Sequence, residues 1–105
     1  MSNSLSLATA SIDAQNTFTD WVYPMADQQE FVRIWISGLA DSTVTVQTTF
    51  DAGTTIGDVV QYAVIDSVNG SVQKIIEDFD KSYAYRSGIK TGDYGTDTVV
   101  CRIGF

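Results

Sequence analysis

Residues 42–62, STVTVQTTFDAGTTIGDVVQY, set two runs of alternating character on either side of a short polar loop. In the first run Val44, Val46 and Phe50 fall on one face, with Thr43, Thr45, Gln47 and Thr49 on the other. Strand side chains point to opposite faces at successive residues, so this spacing predicts an antiparallel strand with one face in a core and the other half-exposed. The loop supplies Asp51, whose carboxylate can accept backbone N–H bonds, and Gly53, which reaches positive φ without steric cost. A calcium loop of EF-hand type would need oxygen ligands where Ala52, Gly53 and Ile56 stand. The loop therefore reads as a structural turn between two strands.

The same alternation extends outward. In EFVRIWISG (30–38) Val32, Ile34 and Ile36 point one way, and Phe31, Arg33 and Trp35 the other. SYAYRSGIK (82–90) places Tyr83, Tyr85 and Ile89 together, and DTVVCRIGF (97–105) does so for Val99, Cys101, Ile103 and Phe105. GDVVQYAVI (57–65) and SVQKIIEDF (71–79) read as extended segments separated by SVNG, whose Asn69-Gly70 pair signals a type I′ hairpin. Val72, Ile75, Ile76 and Phe79 also fit a helical repeat, so a helix over 71–80 is the competing reading there. Short strands separated by turn residues at Gly38 to Asp41, Asp51 to Gly53, Asn69-Gly70, Gly88 and Gly92 to Gly95 predict an all-β fold. The expectation is an antiparallel β-sandwich, jelly-roll-like, of seven or eight strands. Residues 1–16, with Leu5 and Leu7 alternating against serines, read as an N-terminal arm or edge strand, and 17–105 as a single sandwich domain.

Composition narrows the function. Thirteen acidic residues against six basic ones, scattered as Arg33, Lys74, Lys81, Arg86, Lys90 and Arg102, argue against nucleic acid and anionic membranes as partners. There is no apolar run long enough to span a bilayer and no signal-peptide pattern, so assembly in a cytosol is expected. The absence of histidine excludes Ser-His and Cys-His nucleophiles and histidine zinc sites. Cys101, the only cysteine, lies in an apolar run and reads as a buried thiol. Glu77, Asp78 and Asp80 are the nearest approach to paired catalytic carboxylates, but the acids sit at turns and segment ends, where water solvates them. Neither catalysis nor a cofactor or metal is expected, weak calcium binding by an acidic turn being the one metal alternative.

Aromatic residues are more numerous than one small core requires, and flat amphipathic rings serve protein contacts or stack on sugars. Trp21, Tyr23 and Trp35 are candidates for an apolar contact patch, joined by Leu5 and Leu7 in the arm. Arg86 and Lys90 alternate on one strand face as candidates for ionic contact, either with a neighbour or with the domain's own acids.

Thr49, Asp51, Gly53 and Thr55 resemble the Asp-box hairpin, with Ile56 in place of its aromatic residue; the box implies a structural turn. Over residues 44–104 the chain also resembles a family of small structural proteins of tailed-bacteriophage virions. The resemblance is carried by Val44, Gln47, Phe50, Asp51, Gly53 and Thr54, and then by Tyr85, Arg86, Gly88, Lys90, Gly92, Tyr94 and Arg102. Ala52 and Ile56 depart from a glycine and a tryptophan in the family pattern. The resemblance implies a capsid decoration or cement protein, located in the virion and assembled in the host cytoplasm. It would be a homo-oligomer contacting the major capsid protein or another virion protein. A tail or head-to-tail connector component is the nearest alternative, and a carbohydrate-binding fibre module using Tyr83 or Tyr94 is the other.

Overall fold

The computed structural model describes residues 7–23, 32–76 and 84–104. They form eight strands: β1 (Leu7–Ile12), β2 (Thr17–Phe18), β3 (Val32–Ser37), β4 (Val44–Thr49), β5 (Ile56–Tyr62), β6 (Val72–Ile76), β7 (Ala84–Ile89) and β8 (Val99–Gly104). One sheet has the order β1-β8-β3-β6 and the other β2-β7-β4-β5, with every pairing antiparallel. β4 pairs with β5, β3 with β6, β2 with β7 and β1 with β8. This nested pairing is a single long hairpin whose tip is the Asp51 turn. Rolling it up brings β3 beside β8 and β4 beside β7. The result is the eight-stranded jelly roll, a β-sandwich.

The core lies between the sheets and follows the alternation. Val32, Ile34 and Ile36 meet Val99, Cys101 and Ile103 from one sheet, and Val44, Val46, Tyr85 and Ile89 come from the other. β6 is a strand over Val72–Ile76, so the helical alternative fails there: an edge strand can hydrogen-bond to β3, and Val72 and Ile76 both reach the core. Phe31, Glu77, Asp78, Asp80, Tyr83 and Phe105 lie outside the described residues.

Two local expectations are corrected. Asn69 and Gly70 do adopt positive φ (54° and 80°) and close a bridge between Val68 and Ser71, but the flanking strands do not pair with each other. β5 belongs to one sheet and β6 to the other, because each is already paired with its partner in the nested hairpin. β4 is not half-exposed: Thr45, Gln47 and Thr49 are buried, whereas Phe50 lies mostly exposed where the chain leaves the strand. The polar face of β4 is covered by side chains of β5, β7 and the segment after β2, described below.

Inside the core, Ser87 is fully buried, and among the described residues its hydroxyl has only the Cys101 thiol, a weak partner, within reach. Its backbone is held independently, by the Ser87 N–H to the Thr19 hydroxyl and the Thr19 N–H to the Ser87 carbonyl. Ser87→Ala is therefore expected to leave stability unchanged or raise it by up to about 1 kcal/mol, since it removes a desolvated hydroxyl whose one described partner is a weakly bonding thiol. Urea denaturation checks this, and a loss above about 1 kcal/mol would mean that the hydroxyl is satisfied.

Candidate interaction surface

The Asp51 turn is built by its own side chains. The Thr49 hydroxyl donates to Asp51 Oδ1 (2.9 Å) and accepts from Gly53 N–H (2.9 Å), and Thr55 N–H donates to Asp51 Oδ1 (2.7 Å). Ala52 and Gly53 both take positive φ. The Asp41 carboxylate similarly accepts from the Thr96 backbone (3.0 Å) and hydroxyl (2.9 Å), tying the β3–β4 connection to the segment before β8. These bonds, led by the backbone donors of Thr55 and Thr96, hold both carboxyls below their ordinary value near 3.8. A depressed carboxyl contributes stability fully above its unfolded pKa and loses it as pH falls through the folded one. Stability should therefore drop below about pH 4, and Asp51→Asn, which keeps an acceptor without the charge, should flatten that acid limb in denaturation series from pH 2 to 7. An unchanged acid limb would show that the turn's charge contributes nothing.

The outer face of the β2-β7-β4-β5 sheet carries a hydrogen-bonded chain that crosses three strands. Arg86 Nε donates to Gln47 Oε1 (3.0 Å), Gln47 Nε2 donates to Asp58 Oδ1 (3.0 Å), and Asp58 Oδ2 pairs with Lys90 Nζ (2.7 Å). Gln61 Nε2 donates to the Thr45 hydroxyl (3.1 Å) beside it. The Arg86 guanidinium lies 4.1 Å from the Phe18 ring centroid and 4.5 Å from that of Trp21. Burial pushes the Arg86 pKa down, and the two ring faces offset part of that cost. Lys90 and then Gln47 hold Asp58 low, while Asp58 raises Lys90. Both members of that ion pair are well solvated, so the pair contributes little to stability. Trp21, Arg86 and Lys90 are thus engaged within their own domain.

The outer face of the β1-β8-β3-β6 sheet is arranged differently. Register places Leu7 opposite Gly104, Trp35 between Arg102 and Gln73, and Arg33 between Gly104 and Ile75, so these side chains share one surface. They line an open concavity of roughly 720 Å³ with Lys74 at its β6 margin. Leu7 is 63% exposed, Trp35 46%, and Ile75 about half. Arg33, Lys74 and Arg102 make no ion pair or side-chain hydrogen bond among the described residues, although the chain has thirteen acids to pair with. No acidic residue lines the concavity among the described residues.

The sequence candidates therefore separate. Leu7 and Trp35 share the outer face of the first sheet, and Trp21 with Arg86 and Lys90 belongs to the second. Tyr23 is exposed beyond Val22, and Leu5 lies outside the described residues. Tyr94 packs against the core, and burial pushes the Cys101 thiol up to about 12. Arg33, Arg102 and Ile75 were not singled out from the sequence as site residues. Alternation marks them as outward-facing, but only the strand order makes them neighbours of Trp35.

Fold and surface together define a jelly-roll β-sandwich with one internally bonded outer face and one apolar, cationic outer face that lacks partners within the described chain. Comparison with protein-family models, curated proteins and solved structures found no match to this chain.

Proposed function

We propose that the chain is a structural protein of a tailed-bacteriophage virion, acting as a capsid decoration or cement subunit that works by packing against neighbours. The observation that carries this reading is the outer face of the β1-β8-β3-β6 sheet, where exposed Leu7, Trp35 and Ile75 lie beside Arg33 and Arg102, which have no ion-pair partner among the described residues. Desolvated aromatic and arginine side chains are what interfaces use as anchors, and cations left bare on an acidic protein suit an acidic neighbour. The tied turns at Asp41 and Asp51 support the same reading, since they make a rigid body from acids that could otherwise suggest chemistry. So does the resemblance over residues 44–104. The fold alone does not discriminate, because jelly rolls serve as capsid and lectin domains alike.

The test is co-sedimentation with empty heads of tailed phages. Saturable binding is expected, lost with Trp35→Ser while circular dichroism shows an intact fold. Protein that stays in the supernatant with every shell, and with isolated tails, would overturn the reading. A carbohydrate-binding role has one observation in its favour, a concavity of small-molecule size with Trp35 half-exposed at its wall. Trp35-dependent binding on a glycan array would assign the chain to a fibre instead.

A further inference from the structure

We infer that the neighbour covering the outer face of the β1-β8-β3-β6 sheet is a second copy of this chain, docked through its 64–68 turn. The inference rests on reading that face as an assembly surface, and it names the occupant.

Residues Val64–Asp66 form a single 3-10 turn after β5, and the turn buries none of its own residues. Ile65 is 88% exposed and Val68 77%, with Val64 half-exposed beside them. Single exposed apolar residues are ordinary, but three within five positions on a protruding turn form a patch. The turn is also stiff. Asp66 Oδ2 accepts from Ala63 N–H (2.9 Å), the Asp66 N–H donates back to the Ala63 carbonyl (2.9 Å), and the Ser67 hydroxyl bonds the Val64 carbonyl (2.6 Å). A knob already held in shape loses little conformational freedom when it docks.

Knob and face complement each other twice. The knob presents branched aliphatic side chains around a carboxylate, Asp66, and the face presents Leu7, Trp35 and Ile75 beside Arg33 and Arg102 with Lys74 at its margin. Two such faces pressed directly together would instead oppose arginine to arginine, which disfavours a simple face-to-face pair. The two surfaces also adjoin: a second, smaller concavity lined by Asp66 and Val68 borders the first through Gln73 and Lys74. One copy can therefore offer its knob while receiving another's.

Sedimentation of the purified chain over a concentration series tests this. Wild type is expected to associate reversibly below about 100 µM. Ile65→Asp and Trp35→Ser, checked for fold by circular dichroism, should each weaken association by about 30-fold or more. An equimolar mixture of the two variants should recover a 1:1 species, because the first retains a face and the second a knob. A chain that remains monomeric at several hundred micromolar, or an oligomer indifferent to Ile65→Asp, would overturn the inference. Failure here is separable from failure of the proposed function. A monomeric chain that binds shells through Trp35 would have its face covered by the shell. A self-assembling chain that ignores every shell and tail would keep the knob contact and lose the virion.

Discussion

Gly88→Ala is expected to destabilise the fold by about 3 kcal/mol or more, the upper end of what overpacking costs. Gly88 lies in β7 opposite Phe18, and the β2 backbone passes directly over it. A methyl there would stand 2.5 Å from Phe18 Cα and closer still to the Thr17 carbonyl oxygen, both of them backbone atoms that no rotamer change can move aside. Relief requires β2 to lift away, which also withdraws Phe18 from Arg86. Denaturation midpoints should fall, and amide exchange should quicken first in the pairs joining β2 to β7. Gly57→Ala provides the control, since its nearest new contact would be the Thr48 methyl at 3.9 Å. Equal effects at the two glycines would mean that the cost does not come from the close passage of β2.

Replacing Arg86 by lysine is expected to cost about 2 kcal/mol, and by alanine somewhat more. The guanidinium is flat, so it stacks on Phe18 and Trp21 while its Nε still reaches Gln47. An ammonium on a flexible stem cannot hold two ring faces and that in-plane bond together. With the donor gone, the buried Gln47 carbonyl oxygen loses its partner, and the link from β7 through β4 to β5 is cut. Urea denaturation gives the free energy, and Trp21 fluorescence should shift as its ring loses its cover. A lysine variant within about 0.5 kcal/mol of wild type would show that charge alone, without planarity, serves the site.

These two positions show where sequence reading stopped. Alternation puts Arg86 and Lys90 on one strand face and leaves their partners open; in the fold Lys90 pairs with Asp58 and Arg86 bonds Gln47. The alternation of threonine and glutamine in β4 suggested an exposed face. That face is instead buried, because Phe18, Trp21, Arg86 and Gln61 arrive from other segments, Gln61 from 16 residues away from Thr45 and Arg86 from 39 residues away from Gln47. Periodicity reports which side of a strand is apolar, and it carries no information about what another strand will lay across the polar side. The Asn69-Gly70 turn was legible for the same reason that its partners were not: positive φ is a local demand, whereas strand pairing is a global one.

Alternation and turn chemistry alone were enough to establish that this chain is all-β, which apolar rows of β3 and β8 face inward, and that Asp51 with Gly53 forms a turn. Each follows from steric and hydrogen-bonding preferences within a few residues. That the turn is the tip of a rolled hairpin follows from the strand pairing, not from local pattern. The rolling places β8 between β1 and β3 and so gathers Leu7, Trp35 and Arg102 onto one surface that no described residue covers. Contacts between residues so far apart in the chain arise from closing the two sheets over a common core, and no local pattern encodes them.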